Sequence, residues 1–217
     1  MSTPQVIALD GPAASGKSSV AREVAGRLGW VYVNTGNMYR AATWAVLQSG
    51  VDPQDEAAVL KAVADTSFEC TVESGRSVIR VNGQDVEAEL NSEQVNGGVS
   101  HVARVPQVRE KLVAMQRALG HERPSVMEGR DIGTVVFPDA LVKFYVDASE
   151  EVRARRRGLQ GQADSVRERD RLDSTRKTAP LMAAQDAIVV DSSDMTLEQV
   201  VSRILELLRD RGVPAAA

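Results

Sequence analysis

The 217-residue sequence contains little cysteine, histidine or aromatic residue. Its single cysteine, Cys70, excludes a disulfide within the chain and is typical of a reducing compartment. No apolar run is long enough to cross a bilayer and no signal peptide is expected, so the expected location is the cytoplasm. The net charge of -4 provides no general attraction for nucleic acid. His101 and His121 have no partners at zinc-ligand spacing, so we expect no zinc site.

The stretch "ALDGPAASGKSSVA", residues 8–21, contains the pattern G-x-x-x-x-G-K-S. An apolar run precedes it, and a helical stripe of Val20, Val24 and Leu28 follows it. Glycines let backbone amides curl around a phosphate, and the helix N-terminus adds to that anion site. In this pattern the lysine reaches the outer phosphates and the serine hydroxyl ligates magnesium. We therefore predict a nucleoside triphosphate site at Gly11, Gly16, Lys17 and Ser18, with Mg²⁺ on Ser18.

Strand and helix patterns alternate along most of the chain. Apolar runs at residues 5–10, 30–33, 125–129, 141–147 and 187–191 predict five strands. Helical stripes lie between them, including one at 107–119, and the last helix is predicted at 196–211. This alternation predicts an α/β fold, a three-layer arrangement with a five-stranded parallel sheet.

Residues 66–90 break the rhythm, with two-residue alternation and turn signals at Ser74-Gly75 and Asn82-Gly83. We predict a small antiparallel hairpin there, between helices near 55–65 and 92–103. Because it follows the second strand and its helix, we expect it to stand outside the parallel sheet, as a lobe over the site. The alternative is a surface hairpin without a role.

Arginines follow two of the predicted strands at the edge where open α/β sheets bind ligands. Arg40 lies in "NTGNMYRAA", and Arg130 and Asp131 lie in "EGRDIGTVVFP". The planar guanidinium matches phosphate oxygens with two hydrogen bonds. Together these residues predict a second phosphate site, separate from Lys17.

Residues 153–176 contain eight arginines, no lysine and four acids. Gly158 and Gly161 are expected to separate two helical arms. One interpretation is a solvated helical pair with exposed ion pairs. The absence of lysine favours the other, a lid that closes over phosphates.

The motifs "GPAASGKS", "NTGNMYR", "VREKL", "EGRDIGTVVFPDA" and "RDRLDSTRKTAPL", in this order, resemble those of the cytidylate kinase family of nucleoside monophosphate kinases. The resemblance implies a P-loop NTPase fold, a monomer, and transfer of the terminal phosphate of ATP to CMP or dCMP with Mg²⁺. It also implies one kinase domain over 1–217. Its parts are a core (1–36, 105–150 and 180–217), a monophosphate-binding lobe (about 37–104) and a lid (about 151–178).

Individual roles follow from the resemblance as well. The residues that hold the ATP phosphates would be Gly11, Pro12, Ala13, Ala14, Ser15, Gly16, Lys17, Ser18 and Ser19. The catalytic residues would be Lys17, Arg130, Arg156, Arg157 and Arg176. The residues that bind CMP would be Thr35, Tyr39, Arg40, Ser100, Arg109, Arg130, Asp131, Arg169 and Asp173. Within that set Ser100, Arg109 and Asp131 would read cytosine, and Asp173 would contact the pentose.

Two alternatives remain at this stage. A GTP-operated switch would carry N-K-x-D and D-x-x-G, and neither pattern occurs in the sequence. A kinase for UMP, AMP or shikimate differs from the first hypothesis only in its acceptor, which the cytosine-reading residues disfavour by resemblance.

Overall fold

A central sheet of eight strands runs through the computed structural model, which describes residues 5–159 and 166–213. In chain order the strands are β1 (Val6–Asp10), β2 (Val31–Asn34), β3 (Phe68–Glu73), β4 (Arg76–Val81), β5 (Gln84–Asp85), β6 (Ser125–Gly129), β7 (Val142–Asp147) and β8 (Ile188–Asp191). Five of them pair in parallel in the order β2-β6-β1-β7-β8. The predicted five-stranded parallel sheet is confirmed.

Helices follow most of these strands. They are α1 (Lys17–Leu28), α2 (Thr35–Gln48), α3 (Glu56–Ala64), α4 (Glu93–Val102), α5 (Pro106–Glu122), α6 (Glu150–Leu159), α7 (Val166–Ser174) and α8 (Leu197–Arg209). Local chemistry sets several ends. α1 ends at Gly29, whose φ of 66° is left-handed and free of strain for glycine. α8 begins with a capping box in which Thr196 and Gln199 exchange hydrogen bonds.

The parallel sheet is covered on both faces, as the three-layer prediction requires. In β1, Val6 and Ala8 belong to one apolar cluster, whereas Ile7 and Leu9 belong to the other. The first cluster includes residues of α2 and α5, and the second includes residues of α1 and α8. Burial on both faces explains why β1 reads as a continuous apolar run.

The hairpin of β3 and β4 is present, and β5 pairs with β4. The expectation that it would stand outside the parallel sheet is wrong. β4 joins the edge of β2 through the parallel pair Tyr32 and Arg76, and the Tyr32 amide donates to Gly75 O at 2.9 Å. The edge of β2 offers unpaired backbone groups, which the hairpin satisfies.

The arginine-rich segment forms two helical arms, α6 and α7. The expected break at Gly158 is wrong, because α6 continues through it to Leu159. Gly161 lies outside the described residues. Since a single glycine in a helix costs only about 1 kcal/mol, it need not end the helix.

Candidate active site

The loop between β1 and α1 is held tightly against the sheet. A side chain at Gly11 would place a Cβ 2.1 Å from the carbonyl oxygen of Val146, so only glycine fits there. Gly16 has a φ of 91°, which favours glycine, and it directly precedes α1. The loop therefore presents its amides at a helix N-terminus, the geometry that binds phosphate.

Lys17 begins α1 and is only 6% exposed. Its Nζ donates to Pro12 O at 3.0 Å. The pKa of Lys17 is lowered to about 7, chiefly by burial and next by the charge of Arg130, while Glu128 opposes the shift. The anionic groups around Lys17 are therefore too few to stabilise its charged form fully, and a bound phosphate chain would add the missing negative charge.

Two oxygen-bearing side chains meet beside Lys17. Ser18 Oγ donates to Glu128 Oε1 at 2.8 Å. Thr35 Oγ1 donates to the main-chain oxygen of Glu128 at 2.8 Å, which fixes the end of β6 against the start of α2. A hydroxyl and a carboxylate are hard oxygen ligands of the kind Mg²⁺ takes together with waters and phosphate oxygens. Ser18 and Glu128 therefore fit a magnesium ion. The described residues contain no cluster of three or more His, Cys, Asp or Glu at metal-binding distance.

A cleft of about 930 Å³, including its open mouth, lies over these residues at the carboxyl ends of β1, β2 and β6. Six cationic side chains line it, namely Lys17, Arg40, Arg130, Arg157, Arg169 and Arg176. Three acids line it too, namely Glu128, Asp131 and Asp173. The pKa of Arg40 is lowered to about 10, chiefly by burial and next by the charge of Arg169. The excess of positive charge in a partly desolvated cleft favours a polyanion.

Arg109, Asp131 and Tyr39 form one wall of the cleft region. Arg109 is 3% exposed, forms an ion pair with Asp131, and donates to Ala103 O at 3.3 Å. The guanidinium carbon of Arg109 lies 5.4 Å from the centre of the Tyr39 ring. Burial raises the pKa of Asp131, and Arg109 opposes that rise. Asp131 and Tyr39 line the cleft, whereas Arg109 lies behind Asp131 and orients it.

Asp173 joins three parts of the molecule. It accepts from Ser100 Oγ of α4 at 3.2 Å and from Arg130 Nε at 2.9 Å. Arg130 also donates to Gly11 O at 3.0 Å. The carboxylate of α7 therefore links α4, the loop after β6 and the glycine loop.

The arginines within residues 153–176 divide by what they contact. Arg157, Arg169 and Arg176 line the cleft. Arg156 does not. It donates to Ser15 O at 3.2 Å and to Ser192 O at 2.7 Å. The exposed Arg171 pairs with Glu168, as the solvated interpretation requires for that residue.

Arg176 is buried, and one of its hydrogen-bond donors has no partner among the described residues. The side chain is 6% exposed, and its Nε donates to Asp173 O at 3.1 Å. Its Nη2 atom is buried and has no hydrogen-bond partner in the described part of the chain. A donor in that position fits an anionic ligand in the cleft.

Most sequence-predicted site residues meet in this cleft. Those that line it are Ala13, Ala14, Gly16, Lys17, Ser18, Ser19, Thr35, Tyr39, Arg40, Ser100, Arg130, Asp131, Arg157, Arg169, Asp173 and Arg176. Gly11, Pro12, Ser15, Arg109 and Arg156 lie behind that lining. Sequence reasoning missed Glu128, Asp10 and Asp170. Glu128 stands at the end of β6 beside Arg130, so the strand-end argument that found Arg130 could also have found it.

The glycine-lysine loop, the sheet order and the cationic cleft define the P-loop kinase class of α/β proteins. The fold is similar to that of a gluconokinase from Sinorhizobium meliloti 1021, with a TM-score of 0.50, 13% identity, and coverage of 97% of this chain and 99% of that one. A family model for cytidylate kinase matches residues 7–210.

Curated relatives agree with that family model. The chain is 47% identical to a cytidylate kinase of Geobacillus thermodenitrificans (strain NG80-2), over 94% of this chain and 96% of that one. It is also 47% identical to a cytidylate kinase of Mycolicibacterium paratuberculosis (strain ATCC BAA-968 / K-10), over 97% of this chain and 98% of that one. The chain belongs to the cytidylate kinase family.

Proposed function

We propose that the chain transfers the terminal phosphate of ATP to CMP or dCMP, with Mg²⁺ as cofactor. The observation that carries the proposal is the cleft itself. The glycine loop with Lys17 stands at one side, and Asp131, held by Arg109, stands at the other. Five arginines line the cleft as well, and together with Lys17 they suit two phosphate-bearing ligands that meet end to end. A GTP-operated switch would have no use for the arginines that suit the second phosphate-bearing ligand.

The residues divide the work of phosphoryl transfer. The loop amides and Lys17 hold the ATP phosphates, while Arg40, Arg130 and Arg169 hold the acceptor phosphate. An oxygen of that phosphate, ionised at neutral pH, bonds to the terminal phosphorus of ATP as the bond to the bridging oxygen breaks and ADP leaves. Lys17, Arg157 and Arg176 stabilise the charge on the moving group, and no general base is needed.

Ser18 and Glu128 are the side chains that would hold Mg²⁺ beside the glycine loop. When bound there, the ion neutralises charge on the phosphate oxygens and orients them. Because Ser18 donates its hydroxyl proton to Glu128 Oε1, both lone pairs of its oxygen would remain available to the ion. The position of Glu128, fixed through Thr35, keeps the ligand oxygens near the helix N-terminus.

Asp131, Ser100 and Tyr39 form the acceptor-base side in this proposal. A carboxylate accepts from the exocyclic amine of cytosine but faces a carbonyl in uracil. Because Arg109 occupies one oxygen of Asp131 from behind, the other oxygen is left to face the base. Asp173 would accept from a hydroxyl of the pentose.

We also propose the division of the chain into a core, a lobe at about 37–104 and a lid at about 151–178. Nucleotide binding would close the lobe and the lid over the phosphates. The enzyme would act as a monomer on free nucleotides in the cytoplasm, without nucleic acid. None of the helices in residues 5–159 and 166–213 is both long and apolar enough to span a membrane.

The direct test is ADP formation from ATP with CMP, dCMP, UMP, AMP or shikimate as acceptor, with Mg²⁺ and with a chelator in its place. We expect turnover with CMP and dCMP and none with chelator. Turnover with another acceptor but with neither cytidine nucleotide would overturn the proposal.

A further inference from the structure

Asp10 is a buried carboxylate outside the lining of the cleft. It ends β1, directly before Gly11, and is 4% exposed. Its two oxygens accept from two consecutive backbone amides. The Ile132 amide donates to Oδ1 at 2.8 Å, and the Gly133 amide donates to Oδ2 at 2.7 Å.

These two amides come directly after the residues that face the ligands. Arg130 and Asp131 lie at the end of β6, and Ile132 begins a single π-helical turn, Ile132–Val136. Asp10 therefore fastens the loop of Asp131 to the strand that leads into the glycine loop. Arg109 fixes the Asp131 side chain, and Asp10 fixes the backbone behind it.

Asp10 keeps its position at a cost. Burial raises the pKa of Asp10 to about 7, and the two amides oppose the rise only in part. Among the charged groups around it, Lys17 lowers and Asp131 raises that pKa. Tyr145, from the neighbouring β7, also interacts with it electrostatically. Strongly shifted pKa values cluster at functional sites.

We propose that Asp10 is a positioning residue for acceptor-base recognition. By holding the amides of Ile132 and Gly133, it sets where the free oxygen of Asp131 faces the base. This inference rests on the proposed function, because it assumes that Asp131 reads cytosine. An anchor with two acceptors fixes both the position and the tilt of a loop, which a single acceptor does not.

The test is Asp10→Asn, which keeps the shape but replaces one acceptor with a donor that faces an amide. We expect kcat/KM for CMP to fall by on the order of tenfold, since one buried amide loses its partner. The fall for UMP should be smaller, so the ratio of the two values should shrink. KM for ATP should change by less than KM for CMP. Should this variant not fold, Asp10→Ser gives the same comparison with one smaller acceptor.

Two controls separate positioning from general damage. Val201→Ala truncates the buried core of α8 and should lower stability without changing the CMP-to-UMP ratio. In an Asp131→Asn background, adding Asp10→Asn should leave the ratio unchanged, because both act through the same oxygen.

Three outcomes decide the inference. A shrunken ratio that is absent in the Asp131→Asn background supports it. An equal loss on CMP and UMP, or a further change of ratio in that background, overturns it. Wild-type protein inactive on both cytidine nucleotides would instead refute the proposed function.

Discussion

The amide of Ala13 in the glycine loop donates a hydrogen bond to Asp170 Oδ1 of α7 at 3.0 Å. Arg153 of α6 completes this contact, because it forms an ion pair with Asp170 and donates to Ala13 O at 3.2 Å. Both arms of the predicted lid therefore reach the loop that would hold ATP. A carboxylate on a loop amide occupies a position of the kind that phosphate favours.

We expect Asp170→Asn to loosen the lid. Loss of a hydrogen bond to a charged group costs about 1.5–3 kcal/mol, so amide exchange in α6 and α7 should quicken by roughly tenfold or more without nucleotides. A bisubstrate analogue that joins the two nucleotides should slow exchange in both proteins. Hydrogen-exchange mass spectrometry measures this, with Glu168→Gln as a control on the exposed face of α7. Equal exchange with and without the analogue in wild type would exclude a ligand-ordered lid.

Lys17→Ala should keep the fold and nearly abolish phosphoryl transfer. Removal of one preorganised donor from such a site typically lowers kcat by about a hundredfold to a thousandfold. Steady-state kinetics with ATP and CMP measure the loss, and thermal unfolding shows whether the variant is folded. Lys61→Ala, at an exposed position of α3, is the matched control and should retain normal turnover. Near-normal turnover of Lys17→Ala would contradict the assignment of the glycine loop.

Nucleotide binding should take up a proton at Lys17. Its pKa of about 7 in the free protein leaves much of it neutral at pH 8, and phosphates favour the charged form. Uptake should therefore be present at pH 8 and fade toward pH 6, where Lys17 is already charged. Calorimetric titration with ADP in buffers of different ionisation enthalpy measures it. Lys17→Met should lack this component, and identical proton counts in both proteins would refute the prediction.

Asp131→Asn should weaken the choice of CMP over UMP. A site built for one hydrogen-bond pattern can reject the mismatch by on the order of 10⁴, and asparagine offers an amide that also suits uracil. The ratio of kcat/KM for CMP and UMP measures the choice, with Asp139→Asn as an exposed control on the same segment. If Asp131 served only as the ion-pair partner of Arg109, both substrates would lose activity by the same factor.

Two glycine-to-alanine changes should act oppositely on stability. At Gly120 in α5 a Cβ would lie 2.5 Å from Phe137 Cζ, so overpacking should cost about 1–3 kcal/mol. Gly26 in α1 has no atom within 4 Å of that position, so alanine there should stabilise by about 0.5–1 kcal/mol. Urea denaturation measures both. A stabilised Gly120→Ala would show that Phe137 moves aside freely.

The order of strands and the glycine loop could be predicted because each depends on local pattern. β1 is apolar along its length, and the spacing of Gly11, Gly16 and Lys17 carries its own chemistry. The pairing of Arg76 with Tyr32 could not be predicted from the sequence, because it joins residues 44 positions apart through backbone groups that carry no sequence signal. Asp10 and Asp170 were missed for the same reason: each accepts from amides brought near by folding.

The joint between hairpin and sheet is one residue pair wide in the described chain, at Tyr32 and Arg76. One further contact, from the Asn34 amide to Ser77 Oγ at 3.2 Å, lies beside it. A full ladder of hydrogen bonds would resist rotation of the hairpin against β2, whereas this single residue pair resists that rotation only weakly. Each such hydrogen bond contributes only about 1 kcal/mol net, so the sheet itself opposes a displacement of the hairpin only weakly. The packing of Ile79 and Val81 in the apolar cluster that they share with residues of α2 opposes it more.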